Sequence, residues 1–220
     1  MLAYASRTGT RKNLEALRRS GWGLLICASA DGARDHRDEG FGEIMLDNGA
    51  WKTRDAAPDA AGRLRAWRET YERPFCDLVD AFGRLARLIV LPDVIAGGHV
   101  SLMQSVSWVE RLEGTAATLL LPVQDGMRLA DVRPYVGGRV GIFVGGSTDW
   151  KWRSLREEWG PLASDVGCWL HVGRAGSGRM VERCALAGAD SFDTSEPSRY
   201  ACKLPGLDNA RRQMVLGEQW

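Results

Sequence analysis

The chain has 220 residues, with 29 Lys and Arg against 28 Asp and Glu and a formal net charge of +1. That length suits one domain with a substantial core, so residues 1–220 read as a single domain. Near-neutral charge excludes a general attraction to nucleic acid, though a local basic patch would not show in it.

No apolar run approaches the ~20 residues of a membrane-spanning helix. Residues 1–7 lack the basic region and long apolar stretch of a secretory signal. We therefore expect a cytoplasmic protein without a membrane partner. The five cysteines, Cys27, Cys76, Cys168, Cys184 and Cys202, are far apart and form no CxxC. They read as reduced, buried thiols, with no metal site.

Short apolar runs alternate with amphipathic segments along the whole chain. Residues 2–6 form the first run, and 11–19 have helical spacing. Residues 23–29 form the second run. The polar stretch 31–40, with charges of both signs and two glycines, predicts a surface loop. The third run, 43–47, precedes a long helical segment over 60–86 that Pro74 should kink or divide. The fourth run is 87–93 with its helix at 100–112, and the fifth is 118–124 with a short helix at 129–135. The sixth is 139–145, followed by a Trp-rich helix over 150–163. The seventh is 168–172 with a helix at 177–187, and the eighth is 190–193 with a closing helix at 205–216.

Strands alternating with helices imply a parallel sheet with right-handed crossovers. Eight runs favour closure into a compact (β/α)8 barrel over an open doubly wound sheet. Active sites of such barrels lie where the strands end. The strand ends offer Asp47 to Trp51, Asp93, Gln124 with Asp125, Gly145 with Gly146, His171 with Arg174, and Asp193. Carboxylates crowded in a cleft repel, which equips one for proton transfer and another for nucleophilic or charge-stabilising work. Cleavage of a glycosidic bond needs that pair. Gln124 and glycine amides suit a planar polar ligand such as a nucleobase.

Phe192-Asp193, followed by Pro197-Ser198-Arg199, resembles the Phe-Asp…Pro-Thr-Arg signature of the tRNA-guanine transglycosylases, a TIM-barrel family. Asp47-Asn48-Gly49-Ala50-Trp51 is similar to that family's Asp-Ser-Gly-Gly-Phe, Val123-Gln124-Asp125-Gly126 to its Val-Gln-Gly-Gly, and Val144-Gly145-Gly146 to its Gly-Gly turn. Asp93 falls where the family reads the base. The tRNA enzymes carry a Cys-x-Cys-x-x-Cys…His zinc site and a longer chain, both lacking here. The short, zinc-free form resembles the DpdA-like DNA transglycosylases of phages and bacteria.

The resemblance implies exchange of guanine in DNA for a 7-deazaguanine such as preQ0, without metal or cofactor. Asp193 would be the nucleophile and Asp47 the general acid and base. Asp93, Gln124, Gly145 and Gly146 would read the base, with Asp93 accepting from N1–H and the exocyclic amine and Gln124 and the Gly146 amide meeting O6. His171 would either line the base pocket or serve as a structural histidine. Arg174, Arg199 and Lys151 would touch phosphates, and Trp51 or Trp150 would stack on an extruded base. Other readings are base exchange or hydrolysis of free nucleosides, the tRNA-type reaction on RNA, and a non-enzymatic nucleic-acid-binding subunit. The low net charge also points to a homodimer or accessory protein that extends the DNA surface.

Overall fold

Eight short strands pair in chain order, all parallel: β1 (Leu2–Ser6), β2 (Gly23–Cys27), β3 (Ile44–Asp47), β4 (Ala86–Val90), β5 (Thr118–Val123), β6 (Val140–Val144), β7 (Leu170–Val172) and β8 (Ser191–Thr194). The ring closes through β8 on β1, with Tyr4 opposite Asp193. The computed structural model describes residues 1–7, 10–30 and 39–216. The fold is the expected single (β/α)8 barrel. Most of the loop expected over 31–40 lies outside the described residues.

The strands are apolar nearly throughout because each is covered on both faces. One face of β1 to β5 sends Tyr4, Leu25, Met45, Leu88, Val90 and Leu120 into the barrel, where they form their own cluster with Phe143 and Trp169 beside it. Gly23 makes room for the Tyr4 ring, since a Cβ there would lie 2.5 Å from it. The other face packs against the helices. Trp67, Phe75 and Trp108 meet edge to face in that outer layer, with centroids 5.5 to 6.3 Å apart. Burying each such side chain contributes about 1.5–3 kcal/mol, and edge-to-face contact adds a little more.

The helices are α1 (Arg11–Arg19), α2 (Ala60–Thr70), α3 (Glu72–Phe82), α4 (His99–Val106), α5 (Leu129–Val132), α6 (Thr148–Ser154), α7 (Gly160–Val166), α8 (Gly178–Leu186), α9 (Glu196–Arg199) and α10 (Leu204–Leu216). The segment 60–86 does divide, but at Tyr71 rather than Pro74. Pro74 sits in the first turn of α3, where its missing N–H is not needed. The Trp-rich helix is also broken, by a π-helical turn at Leu155–Trp159. Pro161 follows in the first turn of α7 and has no N–H to continue the α-helical ladder.

Candidate active site

Side chains two apart on a strand share a face. The residues that follow the interior cluster toward the strand ends therefore also point inward: Met45 leads to Asp47, and Ser191 leads to Asp193. These polar residues cap the apolar interior at the C-terminal mouth.

On the β7–β8 side, Asp193 is 8% exposed. Its Oδ2 lies 3.0 Å from Nε2 of His171, and its Oδ1 accepts the Arg174 backbone N–H at 3.3 Å. The His171 ring is fully buried and stacks on Phe143, with centroids 5.0 Å apart. Its Nδ1 is 2.8 Å from Ser191 Oγ, which also accepts from Trp169 Nε1 at 2.8 Å. Indole N–H can only donate, which frees the serine hydrogen for Nδ1. The arrangement that satisfies every group then protonates Nε2, so that His171 donates to Asp193.

Beneath this turn, Lys151 is 2% exposed and donates to the Gly173 carbonyl at 2.6 Å. Burial, joined by the Arg174 charge, lowers its ammonium to about 8, against an opposing pull from Asp193. Gly173 cannot carry a side chain, since a Cβ would lie 2.6 Å from the Phe143 ring. Arg174 adopts φ +61°, a left-handed conformation uncommon outside glycine. Its side chain donates to the Gly146 carbonyl and lies 4.7 Å from the centre of the Trp51 ring.

The β3–β5 side is built differently. Asp47 Oδ1 accepts the Gly49 N–H at 2.8 Å across a turn in which Gly49 has φ +77°. Burial raises the Asp47 carboxyl; the Gly49 bond opposes this and the Asp193 charge adds to it. Asn48 is 1% exposed and uses its whole amide. Its Nδ2 donates to the Leu91 carbonyl at 2.8 Å and to Asp93 Oδ1 at 3.0 Å, and its Oδ1 accepts from Ala50 at 2.6 Å. Asp93 is thereby fixed in a buried position. Burial raises its carboxyl to about 7, with the Asn48 bond opposing and Asp47 adding.

Gln124 is 4% exposed and spends both amide hydrogens, on Val94 O at 2.9 Å and Ser101 Oγ at 2.7 Å. The carbonyl acceptor at Val94 dictates which way the amide points. Its Oε1 has no hydrogen-bond partner among the described residues.

Asp47 lies within electrostatic reach of both Asp193 and Asp93, and Gln124 follows the end of β5, but several finer expectations change. Gln124 offers an acceptor, so it cannot donate to O6 of a purine. The Gly145 amide is spent on the Val123 carbonyl within the sheet at 2.9 Å and cannot read a base. His171 lies behind Asp193 with no exposed surface, so it does not line a base pocket. Lys151 is interior and cannot reach a phosphate. Gly146 does stand at the rim with φ +70°, and a Cβ there would lie 2.5 Å from Trp150. Trp150 is occupied by that contact and by Trp159, 6.2 Å away, whereas Trp51 is 49% exposed. Arg199 is exposed on α9, where the neighbouring Ser198 hydroxyl ties the end of β1 through the Ser6 carbonyl.

Sequence reading missed Ser191, Asn48 and Lys52. Ser191 is legible afterwards as the residue two before Asp193 on the same strand face. Lys52 sits close enough to Asp47 to favour its charged form, and its Nζ donates to Ala28 O at 2.6 Å. Among the described residues no three His, Cys, Asp or Glu side chains cluster as a metal site, and no helix is long and apolar enough to cross a membrane. No protein-family model matches the chain, and no curated protein matches it.

Proposed function

We propose that the chain is a base-exchange transglycosylase that replaces guanine in DNA with a 7-deazaguanine of the preQ0 type. The observation that carries this reading is the placement of Asp193. It is an inward carboxylate at the barrel mouth, oriented by His171 and the Arg174 amide, and it lies within electrostatic reach of Asp47, whose carboxyl burial raises.

Asp193 Oδ1, held only by the long Arg174 contact, is the freer oxygen and attacks C1′ of the deoxyribose. The C1′–N9 bond breaks, its electron pair leaves with the purine, and neutral Asp47 supplies the proton that the purine needs. Negative charge at Asp193 stabilises the oxocarbenium character of the transition state, and an aspartyl–sugar ester remains. The incoming base loses its N9 proton to Asp47 and displaces Asp193 from C1′. No residue is consumed.

Ionised Asp93 and the Gln124 Oε1 are both acceptors. Together they suit the N1–H and exocyclic N–H edge shared by guanine and preQ0. A base without those donors would leave both acceptors unpaired, at roughly 1–3 kcal/mol each.

Incubation with guanine-containing DNA and labelled preQ0, followed by nucleoside mass analysis, tests the reaction. Label should enter DNA, and a denaturant-stable protein–DNA adduct should form with the wild-type chain but not with Asp193→Asn. Unchanged exchange in Asp193→Asn would remove the nucleophile. The Arg174 side chain, lying between the Gly146 carbonyl and the Trp51 ring, also fits a free nucleoside as substrate. Label entering deoxynucleosides but not DNA would decide for that reading.

A further inference from the structure

The floor of the mouth is acidic, but its rim is not. Trp51 follows β3 on a short 3-10 turn (Ala50–Thr53) and is 49% exposed, an unusual position for an indole unless something covers it. Its neighbours are both cations. The Arg54 guanidinium lies 5.2 Å from the ring centre and that of Arg174 lies 4.7 Å away. Arg54 pairs with the very exposed Asp55 at 3.1 Å, a contact worth little in water. Arg174 forms no ion pair among the described residues. The rim carboxylate Asp125 instead accepts from the backbone and hydroxyl of Ser147, at 2.7 and 2.6 Å.

Arg174 arrives from the far side of the barrel. It follows β7, and in a ring of eight strands β7 stands opposite β3. Its side chain therefore spans the mouth above Asp193 and Asp47 to meet Trp51. The chain accepts left-handed backbone at a bulky residue to achieve this, a strain of about 1–3 kcal/mol that commonly gathers at binding sites. Lys151 on Gly173 O and Asp193 on the Arg174 N–H hold the turn in place.

We propose that Trp51, Arg54 and Arg174 form a rim subsite for a nucleobase and its phosphate in a single DNA strand, next to the reacting nucleotide. The base stacks on Trp51 where the planar guanidinium of Arg174 now lies. The displaced guanidinium swings to the adjoining phosphate, and Arg54 supports the same backbone. Aromatic stacking with arginine beside it is a general way to hold an unpaired strand without reading its sequence. The subsite deepens the nucleic-acid reading above and rests on it. It also accounts for strand binding by a chain of near-zero net charge, because the positive groups are concentrated where the strand would lie.

Binding without turnover separates the two ideas. A fluorescein-labelled single-stranded DNA hexamer is titrated into wild type, Trp51→Ala and Arg174→Gln by anisotropy over a salt series, with thermal melts to show that each variant is folded. Trp51→Ala should weaken binding about 5- to 150-fold, given about 1–3 kcal/mol per stacked base. Arg174→Gln should reduce the slope of log affinity against log salt by about 0.7, one single-strand phosphate contact. The same hexamer as RNA shows whether the 2′-hydroxyl matters; much tighter RNA binding would overturn the DNA assignment.

Wild-type affinity in Trp51→Ala would overturn the subsite, and so would tighter binding with an unchanged salt slope in Arg174→Gln. Failure of the wild type to bind any hexamer would also overturn it, even if nucleosides exchange their bases. Trp51-dependent binding with no base exchange would support the subsite and remove the chemistry proposed above.

Discussion

The two sides of the barrel mouth present the same side chain, aspartate, in opposite surroundings. On the β7–β8 side both oxygens of Asp193 face donors, from His171 and the Arg174 amide, with the buried Lys151 ammonium close behind. On the β3–β4 side Asp93 has one side-chain donor, Asn48, and little water, and its carboxyl rises to about 7. Burial is similar, each residue being 8% exposed. At Asp93 burial is what raises the carboxyl, and Asn48 is the one side-chain donor that opposes it. The same acid thus meets two sets of hydrogen-bond partners at one mouth, two for Asp193 and one side-chain donor for Asp93.

The largest break in this contrast should come from His171→Gln. Loss of the imidazole contact lets Asp193 rotate, and we expect exchange turnover to fall on the order of 10²-fold, as for a reacting group displaced by about an ångström. Single-turnover adduct formation, measured with base affinity, checks this. A fall in affinity with unchanged adduct formation would show that His171 does not position Asp193.

Asp93 sharpens the contrast through pH. Its carboxyl is raised from 3.8 to about 7, so the folded chain holds a proton that the unfolded chain releases near pH 4. The stability contribution is complete below pH 4 and is lost as pH rises through about 7. Asp93→Asn removes that loss. At pH 8 the variant should gain up to about 4 kcal/mol in urea unfolding, with the gain shrinking toward zero below pH 4. Guanine affinity of the wild type should rise as pH passes through about 7, as Asp93 becomes the anionic acceptor, and Asp93→Asn should flatten that profile. An Asn variant no more stable at pH 8 than at pH 4, relative to wild type, would contradict a buried carboxyl held neutral.

The smallest effect is expected at Arg174→Gly. Glycine relieves the left-handed strain, while loss of the contact with Trp51 costs about 0.5–1 kcal/mol. The relief, about 1–3 kcal/mol, is opposed by that loss and by about 0.5–1 kcal/mol for the freedom of glycine in the unfolded chain, so the melting temperature should stay within about 4 °C of wild type. A larger drop would show that the arginine side chain, rather than the Lys151 and Asp193 contacts, holds the end of β7.

The periodic features were legible along the chain. Apolar runs of four to seven residues separated by amphipathic stretches specify the strands and their order, because each strand is buried on both faces. Asp47, Asp93, Gln124 and Asp193 could be picked out because the end of a barrel strand is a definite place in the sequence. What those residues do to one another was not legible. Nothing local to His171 indicates that its ring lies behind Asp193, or local to Lys151 that it is interior. Both depend on β6, β7 and β8 lying side by side and on glycine at 173 letting Phe143 and Asp193 approach.

Sequence alone thus determined the number and order of the strands and which strand ends carry carboxyl groups, since hydrophobic period and turn chemistry are local properties. Only the closed barrel decided which partners each carboxyl group meets. Hydrogen-bond direction and burial are set by residues far apart in the chain, as with Asn48 reaching Asp93 and Arg174 spanning the mouth to Trp51. Those long-range contacts turn Gln124 into an acceptor, seat Asp93 where burial raises its carboxyl to about 7, and give Asp193 donors at both oxygens.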